Sequence, residues 1–212
     1  MPASLESKRA QILENLDGFR VEIDPDRERA DIILDRAPLN VIEIPQRDQL
    51  RAVFEELDLD DRVRVIVVRA IGKHFSSGGN IAGFLEASPE HVSRLADNIA
   101  APARCHKPVI AQNRGYTFGV GFELSLACDF RVCSETTQYA LPEQRIGQIP
   151  GSGGSIRLLH MIGMQRTKDM TFRSRRISGA EAKEWGIVLE CVADDKLEKT
   201  VDALVDELRE FS

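Results

Sequence analysis

The sequence predicts an α/β fold with crossover connections, and three observations carry that prediction. The run Val63-Arg64-Val65-Ile66-Val67-Val68 is β-branched and nearly continuous, as in a strand covered on both faces. Further short apolar runs alternate with segments of helical spacing, giving the order strand, helix, strand, helix. Glycine-rich turns punctuate the second half, where such a layered chain must reverse.

The elements follow in order. Residues 3–17 carry Leu5, Ile12, Leu13 and Leu16 among charges and predict a short helix. Phe19–Ile23 and Ala30–Leu34 read as strands split by the turn Asp24-Pro25-Asp26. Pro38 breaks the chain. From Pro45, suited to a first helical turn, Leu50, Val53, Phe54 and Leu57 keep helical spacing. The strong strand 63–68 leads into a loop from Gly72 to Gly79, and 89–105 reads as a helix. Pro108–Ala111 and Phe130–Cys133 are strands on either side of a loop, Gly115–Gly121, and a helix, Phe122–Cys128. Helices are expected at about 152–161, 164–171 and 179–185, and a strand over 187–192. The last helix sets Leu197, Val201, Leu204, Val205 and Leu208 on one face.

At 212 residues, 42% hydrophobic and 29% charged, the chain fits one domain, 1–212, able to bury a real core. The formal net charge of -6 argues against nucleic acid as a partner. No apolar run has the length of a membrane span, and Met1–Arg9 lacks the apolar core of a signal peptide. Cys105, Cys128, Cys133 and Cys191 form no C-x-x-C pair and read as free thiols, so a cytoplasmic location is expected. His74, His91, His106 and His160 share no metal-ligand spacing, and no metal is expected. His74 borders the Gly72–Gly79 loop and can reach a ligand there; Arg173, Arg175 and Arg176 read as a solvated cluster; Trp185 reads as packing.

Chemistry concentrates in two glutamates twenty positions apart, Glu123 after Gly119-Val120-Gly121 and Glu143 after Pro142. Two carboxylates facing one substrate can hold a water, one accepting its proton while the other returns one. Glycines before a helix expose unpaired N–H groups at the positive end of its dipole, so the Val120 amide can face an oxygen gaining charge. Phe75-Ser76-Ser77-Gly78-Gly79-Asn80-Ile81 follows the strong strand, and the Ser77 amide is a second candidate donor. Each segment alone is equally a packing turn or a helix-end acid. Gly151-Ser152-Gly153-Gly154 lacks the order of a phosphate-binding P-loop and reads as a tight helix entry.

Together these segments resemble the crotonase (enoyl-CoA hydratase/isomerase) superfamily over roughly residues 19–207. The resemblance is carried in order by Ile32–Asn40, by Val65–Val68 leading to Phe75–Ile81, by Lys107–Ala111 and by Gly119-x-Gly121-x-Glu123-Leu124. It continues through Pro142-Glu143-x-x-x-Gly147-x-Ile149-Pro150-Gly151-x-Gly153-Gly154 and Arg176–Ala182 to Trp185–Val188. It implies a crotonase-like spiral of repeated ββα units with flanking helices, the core over 19–193 and the start of a C-terminal helical region over 194–212. It implies an acyl-CoA hydratase whose backbone donors Ser77 and Val120 form an oxyanion hole for a thioester enolate, with Glu123 and Glu143 as acid and base. Arg36, Pro38, Leu39, Ser77, Gly78, Gly79, Asn80, Ile81 and Gly119 would line the CoA and substrate path. Coenzyme A enters as part of the substrate, no separate cofactor is implied, and the partner state is a homo-oligomer, a trimer or dimer of trimers.

The chain departs from the family pattern in places. Asn80 stands where the family usually has aspartate, and Val120 replaces a common glycine. Phe118, Phe122, Tyr139 and Leu141 suit either a cyclic or aromatic acyl group or the core. The C-terminal helical lid is expected to be shortened. The same oxyanion hole also serves an isomerase or a ring-opening hydrolase of a cyclic acyl-CoA, and a non-catalytic CoA-binding protein is the reading from another class. Retention of both glutamates favours the hydratase, in fatty acid or aromatic acid metabolism.

Overall fold

A computed structural model describes residues 11–211. Of the helix expected over 3–17, residues 3–10 lie outside the described residues. Among the described residues Gln11 and Ile12 are helical before the chain bends, while Leu13 and Leu16 pack on the main core. Strands β1 (Phe19–Asp24) and β2 (Arg29–Leu34) form an antiparallel hairpin. Its turn is closed by Asp24 Oδ1, which accepts the amides of Asp26 and Arg27 at 3.1 Å each.

Helix α1 (Ile44–Asp58) starts with a capping box between Glu43 and Gln46 and has proline in its first turn, which fixes its entry. Strand β3 (Val65–Ala70) begins two residues later than the apolar run suggests. Its parallel register with β2 pairs Arg29 with Val65, so Val63 is buried ahead of the ladder. A one-turn helix α2 (Gly83–Glu86) precedes α3 (Pro89–Ile99), which the Ser88 hydroxyl caps by accepting the His91 amide at 3.2 Å. The helix expected to reach residue 105 stops at Ile99; Pro102 has no N–H with which to continue the helical ladder, and a 3-10 turn (Pro102–Arg104) follows.

From here the chain repeats one pattern. β4 (Val109–Asn113) joins the main sheet, β5 (Tyr116–Phe118) starts a second sheet, and α4 (Val120–Ala127) closes the unit. Then β6 (Phe130–Ser134) joins the main sheet and β7 (Gln138–Ala140) the second. A 3-10 turn (Pro142–Ile146) and α5 (Gly154–Phe172) follow, α5 being interrupted at Gly163, where φ is 76°. β8 (Ile177–Ser178), α6 (Gly179–Glu184), β9 (Glu190–Val192) and α7 (Leu197–Arg209) complete the described chain. The main sheet has the order β1-β2-β3-β4-β6-β9 and the second β5-β7-β8. Bridges Ser76–Thr117 and Ile42–Gly79 bring the loop after β3 beside the second sheet. This is a spiral of ββα units, as expected. β5, β7 and β8 were not legible as strands because each is two or three residues long and pairs only with the next turn of the spiral.

Three apolar clusters fill the layers. The largest lies between β1–β4, α1 and α4, and a second packs β7, α5 and α6 around Phe122, Tyr139 and Leu158. The third sets Leu197, Val201 and Val205 of α7 on Val65, Val67, Ile110 and Val132 of the main sheet. Among the described residues no helix is long and apolar enough to cross a membrane, and no group of three His, Cys, Asp or Glu is placed to hold a metal ion. The described thiols are free; Cys128 and Cys133 are buried, Cys105 and Cys191 half-buried. Trp185 is covered by the guanidinium groups of Arg166 and Arg175. Arg173 and Arg175 pair with Asp169, and Arg176 lies over Phe118.

Candidate active site

The spiral brings the loop after β3, the start of α4, the 3-10 turn and the entry to α5 around a cavity of about 360 Å³. Ser77, Gly78, Gly79, Ile81, Gly119, Val120, Glu123 and Glu143 all line it. Eight residues singled out from sequence thus converge, although they span 67 positions between Ser77 and Glu143.

Glu123 sits in the first turn of α4, a helix with every residue buried. Its Oε1 accepts two amides from the α5 entry, Ser152 N–H at 2.7 Å and Gly154 N–H at 2.9 Å. A Cβ added at Gly154 would meet Glu123 Cγ at 2.9 Å, so the glycine permits this approach. The glycine-rich segment at 151–154 is therefore a cradle for the protein's own carboxylate. Burial raises the Glu123 pKa, while the Gly154 and Ser152 amides and the charge of Arg47 oppose the rise.

Glu143 lies against the backbone of Gly119, where a Cβ would approach its Oε1 to 3.1 Å. Gly119 has φ of 51°, a left-handed conformation that favours glycine, and it starts α4. Glu143 Oε2 is buried with no hydrogen-bond partner among the described residues. Burial pushes this carboxyl up to about 7; its own amide pulls it back in part, and the Glu123 charge adds to the rise. The two carboxyls therefore differ: one oxygen of Glu123 is saturated by N–H donors, and one oxygen of Glu143 awaits a partner.

The two amide donors also differ. Val120 is the first residue of α4, so its N–H has no acceptor within the helix. The Ser77 N–H donates to the Leu39 carbonyl at 2.9 Å, so a ligand oxygen there must share or displace that bond. The Val120 side chain lines the cavity and narrows it beside Gly79. Arg36, Pro38, Leu39 and Asn80 do not line the cavity. Arg36 pairs with Asp17 at 2.7 Å, and Leu39 is exposed beside the loop. Asn80 donates from Nδ2 to Glu43 Oε2 at 3.0 Å, a contact that an aspartate would replace with carboxylate repulsion.

Phe122, Tyr139 and Leu141 are fully buried in the second core cluster, the core alternative of the two readings the sequence left open. Phe118 is buried in a stack with Tyr116 beneath Arg176. His74 lies outside this cavity: its ring stacks on Tyr116 and its Nδ1 accepts the Tyr116 amide.

Sequence reasoning missed Arg47 and the amides of Ser152 and Gly154. Arg47 lines the cavity and is 3% exposed. Its signal was present: it falls at helical spacing between Ile44 and Leu50, on the buried face of α1. The amides carry no side-chain signal at all.

Comparisons with known proteins agree with this fold. The sequence model of the Enoyl-CoA hydratase/isomerase family matches residues 29–212. A carnitinyl-CoA dehydratase of Escherichia coli K12 is 34% identical over 185 residues, covering 84% of this chain and 70% of that protein. An enoyl-CoA hydratase subunit I from Geobacillus kaustophilus superposes with a TM-score of 0.87 at 27% identity, covering 93% of this chain and 77% of its own. A candidate enoyl-CoA hydratase from Thermobifida fusca, solved in complex with acetoacetyl-CoA, gives 0.86 at 27% identity, covering 96% and 84%.

Proposed function

The chain belongs to the enoyl-CoA hydratase/isomerase family, and from that premise we propose that it adds water to an α,β-unsaturated acyl-CoA. The observation that carries this reading is the pair of unlike carboxyls, Glu123 and Glu143, in one cavity with the Val120 amide. An isomerase shuttling one proton needs one such group; addition of water needs a proton taken and a proton given.

The substrate's thioester carbonyl oxygen would sit at the N-terminus of α4 and accept the Val120 N–H. The Ser77 N–H joins it as the Leu39 carbonyl gives way, completing an oxyanion hole. Coenzyme A arrives as part of the substrate, its arm passing the 78–81 loop and the exposed segment at 36–39. Glu123, held by two amides, acts as the carboxylate that takes a proton from water as the hydroxyl bonds to the β carbon. Glu143, whose carboxyl burial pushes up to about 7 so that a large protonated fraction remains at neutral pH, gives its proton to the α carbon of the enolate. The pair resets when the proton on Glu123 returns to Glu143, directly or through solvent. The carnitinyl-CoA dehydratase and the acetoacetyl-CoA complex among its relatives support an acyl-CoA thioester as the substrate class.

The test is hydration of crotonyl-CoA, followed as loss of the enoyl thioester chromophore. Glu123→Gln and Glu143→Gln should each lower kcat by roughly 10²–10⁴ with melting curves showing folded protein. Near-wild-type turnover in both variants would sink the assignment.

A further inference from the structure

Arg47 stands on the buried face of α1 with Ile44, Leu50 and Phe54 at helical spacing. A guanidinium placed there is costly unless charges compensate it. Two do: Glu123, which lines the same cavity, and Glu43 at the start of the same helix, both opposing the effect of burial on Arg47. Glu43 is itself fixed by the capping box and by Asn80. The guanidinium also seats the loop after β3, since a Cβ at Gly79 would come within 2.8 Å of Arg47 Nη2. The same group thus lies against the loop after β3 and lines the cavity that Glu123 lines. The other charges around Glu123 are Arg157 from α5, which donates to the Ser152 carbonyl at 2.9 Å, and Glu143 from the 3-10 turn.

Taking Glu123 as the base, as assigned above, we propose that Arg47 is a positioning residue that holds Glu123 as the anion and so selects it, over Glu143, to accept the water's proton. Arg157 is turned to the loop that carries the two amides and supports the same state from behind.

The test reads Glu123 directly and needs no substrate. The carboxyl ¹³C signal of Glu123, assigned by its loss in Glu123→Gln, is titrated in wild type, Arg47→Lys and Arg47→Gln. The crotonyl-CoA pH–rate profile is recorded beside it. Arg47→Gln should move the Glu123 titration and the acidic limb of kcat/KM to higher pH. The rate at pH 7 should fall roughly tenfold or more and recover as pH rises, while Arg47→Lys stays near wild type. If Arg47→Gln fails to fold, Arg47→Gln/Glu43→Gln removes the buried guanidinium together with the nearby Glu43 carboxyl and is read in the same way. A folded variant whose Glu123 titration does not move overturns the proposal. A titration that moves in a protein hydrating no enoyl-CoA supports the coupling and overturns the hydratase reading instead.

Discussion

The Glu143 carboxyl makes a prediction that no substrate is needed to check. Its value in the folded protein is about 7 against an ordinary 4.5. Below pH 4.5 it is protonated in folded and unfolded chains alike, and it costs nothing. Between 4.5 and 7 the unfolded chain releases the proton while the folded chain keeps it, so stability falls as pH rises, by at most about 3 kcal/mol. Glu143→Gln lacks this loss. Its melting temperature should gain on wild type between pH 4.5 and 7 and hold that gain above 7; parallel curves would contradict the burial of Glu143. At this scale the sequence was legible where residue type implies chemistry. Two glutamates beside glycines were visible, but the difference between them was not. That difference comes from the amides of Ser152 and Gly154, thirty positions downstream of Glu123, and from a bare oxygen on Glu143.

Among the elements, α4 bears the most function per residue. It carries the Val120 amide and Glu123, and it lies so close to the loop after β3 that a Cβ at Gly121 would meet Ser76 Cβ at 2.5 Å and Oγ at 2.7 Å. Ser76 cannot retreat easily: its amide and carbonyl bond to Tyr116 and Phe118, and its Oγ accepts the Gly78 amide. Gly121→Ala must therefore displace the helix, and Val120 and Glu123 with it. It should destabilise the fold by about 1–3 kcal/mol in denaturant and slow hydration besides; a variant with wild-type melting and rate would show that the close approach is not required. The long elements α1, β3 and α7 were readable from periodicity, within two residues or so. α4 was expected two residues late, because nothing in Val120-Gly121 distinguishes loop from first turn without the strand β5 that precedes it.

Across the whole molecule, the spiral explains why residues far apart in sequence meet. Each turn lays a strand in the main sheet and a short one in the second, so the loops after β3, β5 and β7 stack at one place. The ordered motifs predicted that architecture through their resemblance to a family; the apolar pattern alone predicted only α/β layers. What the stacking produces is a site in which two carboxyls with unlike hydrogen bonding line one cavity. A double-mutant cycle on crotonyl-CoA hydration tests this most directly, using kcat for wild type, Glu123→Gln, Glu143→Gln and the double variant. If both carboxyls serve one water, the double variant should be about as slow as the slower single variant, because residues acting as a unit are not additive. Fully additive losses would show two independent contributions and contradict the shared-water mechanism.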